Sequence, residues 1–164
     1  MPANNRPSAR VIVIDYGGRV LLFCVADPQS VKAPSWVVPG GGLEAGQTAA
    51  EAAARELLEE TGTRIEPSEL GKPVAVNRGE CEFHGKKYFS ESENLYFWLR
   101  TETFEPNDAN WTAGELEWQV GWRWWTLDEL ECTADVVYRP QLAAMCRDLA
   151  SGRRPHVPIE LPWV

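Results

Sequence analysis

A helix-forming segment at residues 48–61 constrains the fold of this chain more than any other part of its sequence. It lies within residues 41–63, which read GGLEAGQTAAEAAARELLEETGT. Thr48 and Glu51 have the spacing of a capping box, and Gly62 is the residue type that most often follows a helix end. Most residues between them are alanine and leucine, which are strong helix formers. The segment therefore predicts a capped helix over residues 48–61.

Three glutamates, Glu56, Glu59 and Glu60, occupy the last two turns of this helix. Their i, i+3, i+4 spacing places them on one face, where like charges repel by roughly 0.2–0.5 kcal/mol per pair. They also lie at the negative end of the helix dipole, which disfavours each anion by a further ~0.3–1 kcal/mol. A divalent cation bound between the carboxylates would turn this repulsion into attraction. Carboxylate oxygens suit Mg²⁺ or Mn²⁺, and Mg²⁺ held in this way usually also binds substrate phosphates.

Composition and charge limit the class of protein. A length of 164 residues, with 44% hydrophobic and 24% charged residues, is typical of one soluble globular domain. The net charge of −8 argues against polymeric nucleic acid as a partner, but a bound metal could neutralise the charge of a single nucleotide. The four cysteines are far apart and favour reduced thiols. The sequence has no apolar signal segment or membrane span, so we expect a cytoplasmic protein with no membrane partner.

Hydrophobic patterns predict the remaining elements. Strands are expected at 9–14, 19–26, 36–38, 73–84, 87–101 and 120–126. A short helix should follow the capping pair Thr126 and Glu129, and a last helix should run from near Pro140 to Gly152. Residues 102–117 are interpreted as an acidic loop and residues 153–164 as an irregular tail. This order favours an α+β fold with a mixed sheet and helices on its faces.

The spacing of the segment resembles the Nudix hydrolase signature, G-x5-E-x7-R-E-U-x-E-E-x-G-U, in which U is aliphatic. The residues that fall in register are Gly41, Arg55, Glu56, Leu57, Glu59, Glu60 and Gly62. The approach at 36–41 and the later segment 124–130 are also similar to the family. Gln47 and Thr63 depart from the signature. The resemblance implies a Nudix-type α/β/α sandwich with a mixed β-sheet and a loop–helix–loop catalytic motif at 41–63, formed by a single domain over residues 1–164. It also allows a homodimer.

The resemblance further implies roles for the residues of this motif. Glu56 and Glu60 would bind Mg²⁺ or Mn²⁺, and Glu59 would be either a ligand or a proton acceptor. The backbone carbonyl of Gly40 would complete the ligand set. Arg55 would support catalysis, with Gln47 behind it in place of the usual glutamate. Gln47 can accept a hydrogen bond from Arg55 but supplies no charge, and such losses behind a metal site commonly matter by roughly 10–100-fold.

Residues outside the motif are weaker candidates for the site. Some family members take their general base from a later loop, where Glu115 and Glu117 lie in this chain, although a solvated acidic loop is the simpler interpretation. Arg10 and Arg78 could contact substrate phosphate, or they could be ordinary surface residues. Trp36 and Phe89 could stack on a nucleobase, although core packing is the more frequent role of such residues.

The sequence favours one function over three alternatives. The favoured one is metal-dependent hydrolysis of a diphosphate bond in a nucleoside diphosphate linked to another moiety. A nucleotide-binding sensor of the same fold without catalytic activity is the alternative that Gln47 allows. An isomerase of the same fold is disfavoured, because such enzymes need a histidine-rich metal site and this chain has only two histidines. A phosphate-binding P-loop is also disfavoured, since Gln47 stands where that motif needs lysine.

Overall fold

The computed structural model describes residues 7–83, 86–137 and 140–161, with the backbone alone along residues 79–83 and 86–92. Within these residues, nine strands form one mixed sheet. They are β1 (Ser8–Asp15), β2 (Val20–Val25), β3 (Ser35–Val37), β4 (Gly40–Gly42), β5 (Ala75–Phe83), β6 (Lys86–Thr101), β7 (Gln119–Trp125), β8 (Val136–Val137) and β9 (Ile159–Glu160). The helices are α1 (Ala49–Thr61), α2 (Ala113–Trp118), α3 (Leu127–Cys132) and α4 (Leu142–Ala150), with a 3-10 turn at Pro67–Leu70.

Strand β1 is central, and it organises the sheet around the motif predicted from sequence. It pairs in parallel with β6 along its whole length. Its other edge is shared, because β2 pairs with its end at Ile14 and β4 pairs with its beginning at Ser8 to Arg10. The strand order is β8-β3-β2-β1-β6-β5-β9, with β7 beside β2. The glycine strand β4 therefore lies in the gap where β1 and β2 separate.

Period-two alternation along β1 divides the core into two layers. Val11 and Val13 face α1 and pack in the cluster that contains Ala52, Ala53 and Leu57. Ile12 and Ile14 face the opposite side and pack in the cluster formed with α3 and α4. On this second side the buried α4 residues are Leu142, Met145, Cys146 and Leu149, which have the i, i+3, i+4, i+7 spacing of one helix face. Helices thus cover both faces of the sheet, which confirms the predicted α/β/α sandwich.

The turn between β1 and β2 is closed by a buried carboxylate. Asp15, which is 1% exposed, accepts bonds from the backbone N–H and side-chain Nε of Arg19, at 2.8 and 2.9 Å, and from the Thr103 hydroxyl at 2.8 Å. Burial by itself raises the pKa of Asp15, but these donors and the charge of Arg19 outweigh it and lower the pKa below the ordinary value. The ionised form of Asp15 is therefore favoured in the folded protein.

Two local predictions need correction. Residues 102–117 are not a continuous loop, because α2 begins at Ala113 after the N-cap Thr112. The tail is not wholly irregular, because β9 pairs in parallel with β5. The helix prediction for residues 48–61 is confirmed, with both bonds of the Thr48–Glu51 capping box present and Gly62 in the left-handed conformation. Among the described residues, no helix is both long and apolar enough to cross a membrane.

Candidate metal centre

Of the three glutamates in the last two turns of α1, two point inward and one points outward. Glu56 and Glu60 lie four residues apart on the buried face, with exposures of 8% and 6%. The Glu59 side chain is 40% exposed and points toward Arg55, whose Nη1 lies 3.1 Å from the Glu59 Oε2. The three carboxylates that share a face in the sequence pattern are therefore not equivalent in the folded protein.

The glycines of β4 let the sheet approach these carboxylates closely. A Cβ atom on Gly41 would lie 2.6 Å from the Glu56 carboxyl carbon, so a larger residue would displace that side chain. Gly40 has a φ of 144°, and a Cβ there would lie 2.4 Å from the backbone oxygen of Ala9. The Gly40 N–H donates to the Glu60 Oε2 at 2.8 Å. Glycine is needed at both positions because the backbone itself forms one wall of the site.

A third carboxylate reaches the site from a distant part of the chain. One oxygen each of Glu56, Glu60 and Glu115 lie within 4.8 Å of one another. Glu115 belongs to α2, where it forms a capping box with Thr112. Glu117 is exposed and lies outside this group. The sequence interpretation of Glu115 as part of a solvated loop missed this placement, although Thr112 and Glu115 carry the same capping spacing as Thr48 and Glu51.

Arg55 ties the beginning of the motif to its carboxylates. Its Nη1 donates to Glu56 at 2.8 Å, and its Nη2 donates to the Gly42 carbonyl at 2.8 Å and to the Gln47 Oε1 at 3.2 Å. The predicted hydrogen bond between Arg55 and Gln47 is therefore present. Gln47 also accepts from the Glu44 N–H at 3.0 Å. Arg55 holds one side of Glu56, and the loop before α1 is fastened to the same guanidinium.

Burial disfavours the ionised forms of Glu56 and Glu60. It raises the pKa of Glu60 to about 8, although the Gly40 N–H and the charge of Arg10 act in the opposite direction. It also raises the pKa of Glu56, against the hydrogen bond and charge of Arg55. Glu115 adds to both effects as a nearby like charge. A cation would favour the ionised carboxylates, and hard oxygen ligands suit Mg²⁺ or Mn²⁺.

Gln119 is a site residue that the sequence did not suggest. Its Nε2 donates to the Glu60 Oε1 at 3.2 Å, and its Oε1 is buried without a partner. The register of β7 against β2 shifts here, since Gly121 pairs with Cys24 while Gln119 pairs with Val25. Val120 is therefore an extra residue in a β-bulge, which turns Gln119 onto the α1 side of the sheet.

The remaining sequence candidates have varied positions. Arg10 lies opposite Gly40 on β1 and donates to the Val38 carbonyl at 3.2 Å, so it is adjacent to the site. Arg78 is paired with Glu93 and Glu160. Trp36 packs against the core on the α3–α4 side, and its Nε1 bonds Asp135 at 3.1 Å. The side chain of Phe89 lies outside the described residues.

Comparison with known proteins gives consistent results. The family model described as NUDIX domain matches residues 4–145. A putative 8-oxo-dGTP diphosphatase of Bacillus subtilis is 33% identical over 110 residues, which are 67% of this chain and 63% of that protein. An RNA pyrophosphohydrolase of Sphingopyxis alaskensis is 30% identical over 136 residues, which are 77% of this chain and 80% of that protein.

Solved structures extend this likeness to the three-dimensional fold. The MutT protein of Methanosarcina mazei Go1 superposes with a TM-score of 0.61, at 16% sequence identity, over 92% of this chain and 96% of that one. At this identity the likeness concerns the fold alone. It agrees with the mixed sheet and its two helical layers.

Proposed function

Because this chain belongs to the Nudix hydrolase family, we propose that it is a divalent-metal-dependent pyrophosphohydrolase acting on a nucleoside diphosphate linked to another moiety. The observation that carries the proposal is the group formed by Glu56, Glu60 and Glu115, three carboxylates brought together in a largely buried place beside a glycine strand. The same proposal takes residues 1–164 as one domain. The family match spans 4–145, and β9 beyond it pairs with β5.

The ligand set proposed for Mg²⁺ or Mn²⁺ contains oxygen atoms only. Glu56, Glu60 and Glu115 would hold the ion, together with the Gly40 carbonyl expected from the family resemblance. These groups fit a hard cation. Burial raises the pKa values of Glu56 and Glu60, against the opposing effects of Arg55 on Glu56 and of Arg10 on Glu60. When bound, the ion supplies charge neutralisation for the phosphate oxygens and polarisation of a water molecule.

The protein's own groups then orient the reactants. Gly40 and Gln119 hold the two oxygens of Glu60 with hydrogen bonds of 2.8 and 3.2 Å, and Arg55 holds Glu56 at 2.8 Å. Glu59 is proposed as the acceptor of the proton from the attacking water, because it lies outside the three-carboxylate group and is accessible. Its ion pair with Arg55 would keep it oriented in that role.

A test of Glu59 separates its two predicted roles. If Glu59 is the proton acceptor, the substitution Glu59→Gln should lower kcat by ~10²–10⁴-fold, while the dissociation constant for Mn²⁺ changes by less than about threefold. If Glu59 is a metal ligand, the same substitution should instead weaken Mn²⁺ binding in proportion to the loss of rate. The second result would move Glu59 into the ligand set.

The proposed substrate is a small nucleotide derivative. The two curated relatives are named for 8-oxo-dGTP and for RNA. A net charge of −8 disfavours a long polyanion, because affinity for the phosphate backbone depends on basic surface. Arg10 lies beside Gly40 and would contact a phosphate bound at the site, whereas Arg78 is already paired with two glutamates. Arg10 is therefore the favoured phosphate contact of the two.

The experiment is a substrate panel with matched metal conditions. Nucleoside triphosphates, oxidised nucleotides, nucleotide sugars and dinucleoside polyphosphates would each be incubated with Mg²⁺, Mn²⁺ or EDTA, and the products identified by chromatography. At least one class should be hydrolysed with metal and not with EDTA, and Glu60→Gln should abolish the reaction. Binding of nucleotides without turnover under either metal would instead favour the sensor alternative, in which Gln47 has weakened the site beyond catalysis.

A further inference from the structure

The last carbonyl groups of α1 have their partners in the segment between β6 and α2. Carbonyls in the final turn of a helix lack donors within the helix and must find them elsewhere. The Trp111 indole Nε1–H donates to the Glu60 carbonyl at 2.7 Å, and the Asn107 N–H donates to the Thr61 carbonyl at 3.0 Å. The segment that leads into α2, and so to Glu115, is thus bonded to the helix that carries Glu56 and Glu60.

Helix α2 is held at its two ends and not by a buried face. None of its residues is buried, and Leu116 is 57% exposed. At its end the Trp118 carbonyl accepts a hydrogen bond from the Ala26 N–H at 2.9 Å. Its beginning follows Trp111 directly, because Thr112 is the N-cap and bonds Glu115 in both directions of the capping box, at 2.6 and 3.2 Å. The Trp111 ring packs edge-on against the ring of Phe23, with centroids 6.0 Å apart. A short path through Thr112 and its capping box therefore leads from the Trp111 indole to the Glu115 carboxylate.

We propose that Trp111 is a positioning residue that holds Glu115 against Glu56 and Glu60 by its bond to the Glu60 carbonyl. Glu60 then supplies both its carboxylate to the cluster and its backbone oxygen to the indole. This inference rests on the proposed function of the cluster as a metal site. Trp111 acts on the metal only through Glu115 and touches neither ion nor substrate.

Trp124, on β7, provides a matched control because its indole bonds the same segment. Its Nε1 donates to the Phe104 carbonyl at 2.8 Å, and its ring packs edge-on against Phe104 with centroids 5.4 Å apart. The bond is of the same kind as that of Trp111, but it does not reach α1. Trp124→Phe and Trp111→Phe each remove one indole–carbonyl bond and keep an aromatic ring. Both substitutions should lower the melting temperature by a similar amount. A difference between them in metal affinity therefore reports on the position of Glu115 and not on the stability of the protein.

The test is a double-mutant cycle on Mn²⁺ affinity, measured by calorimetry without substrate. Trp111→Phe should weaken binding by about 10–100-fold, and Trp124→Phe by less than twofold. In a Glu115→Gln background, Trp111→Phe should have less than a twofold further effect, because the residue through which it acts is already disabled. Equal effects of Trp111→Phe in both backgrounds, or none in the wild-type background, would overturn the proposal.

A second measurement needs no variant. Thermodynamic reciprocity requires that, if the Trp111 bond strengthens metal binding, metal binding must stabilise the bond. Saturating Mg²⁺ should therefore slow hydrogen exchange of the Trp111 indole N–H in ¹⁵N spectra and leave that of Trp124 unchanged. Unchanged exchange at Trp111 would count against the proposal. Both measurements are independent of turnover, so a lack of hydrolysis with an intact cycle would reject the proposed function and keep the role of Trp111.

Discussion

Replacing Glu60 with glutamine is predicted to stabilise the metal-free protein while it removes metal binding. In the folded protein the pKa of Glu60 is raised to about 8 by burial, whereas its ordinary value is 4.5. At pH values between 4.5 and about 8, Glu60 is ionised in the unfolded chain, whereas in the folded protein it retains its proton. The unfolded state therefore binds fewer protons, and the free energy of unfolding falls as pH rises from about 4.5 to about 8.

The magnitude follows from the width of this window. Each pKa unit corresponds to ~1.4 kcal/mol, so the interval from 4.5 to pH 7 represents up to about 3 kcal/mol, and the full interval to about 8 represents up to ~5 kcal/mol. Glutamine cannot ionise and avoids this loss. A gain of ~3 kcal/mol at pH 7 would raise the melting temperature by about 6–12 °C in a protein of this size.

The surrounding hydrogen bonds can accommodate the substitution. Gly40 can still donate to the new amide oxygen, as it does to the Glu60 Oε2 at 2.8 Å. The new amide nitrogen would meet the Gln119 Nε2, but rotation of the Gln119 amide would present its Oε1, which is buried and unpaired. That rotation also suits a protonated Glu60. Glutamine therefore imitates the neutral carboxyl group that burial favours.

The assay is urea unfolding in EDTA at pH 5, 7 and 8.5, with Mn²⁺ calorimetry on the same samples. Glu60→Gln should remove much of the pH dependence and weaken Mn²⁺ binding by more than ~10-fold. Glu59→Gln is the control, since its exposed side chain should change stability by only about 0.5 kcal/mol. A Glu60→Gln protein less stable than wild type at pH 7 would refute the reasoning that burial of Glu60 costs folding free energy above the ordinary pKa of its carboxyl group.

Three further substitutions extend the test to the rest of the molecule. Gln47→Glu should place a charge 3.2 Å from Arg55 and strengthen Mn²⁺ binding by up to about tenfold, measured by calorimetry. Gly41→Ala should displace Glu56, whose carboxyl carbon lies 2.6 Å from the added Cβ, and abolish metal binding while circular dichroism stays native. Asp15→Asn should lower the free energy of unfolding by ~1–3 kcal/mol at pH 7. Since the folded pKa of Asp15 is lowered, this difference should shrink as pH falls below 3.8, and a pH-independent difference would contradict it.

Local patterns predicted most elements correctly because they depend on neighbours within a few residues. The capping pairs Thr48–Glu51 and Thr126–Glu129 both mark real helix starts. The pair Thr112–Glu115 carries the same signal, but α2 buries no residue and so shows no apolar periodicity to support it. Because the helix is short and exposed, its cap is the only evidence for it in the sequence.

Long-range features were predicted only in part. The position of Gln119 depends on the extra residue Val120, and a bulge is defined by the register against β2 rather than by the sequence of β7. The pairing of β9 with β5 likewise depends on where the chain returns after α4. Neither has a local pattern that distinguishes it from irregular chain.

The sequence by itself determined that Glu56, Glu59 and Glu60 crowd one end of a capped helix, because helical periodicity is local. It also determined the family, through their register with Gly41 and Gly62. Only the tertiary structure decided that Glu56 and Glu60 turn inward while Glu59 pairs with Arg55. The third carboxylate was likewise decided by folding, because the segment before α2 is hydrogen-bonded to the end of α1 and Glu115 thereby comes close to the other two. Burial and contact between distant segments are properties of the folded chain, and they select which glutamates form the site.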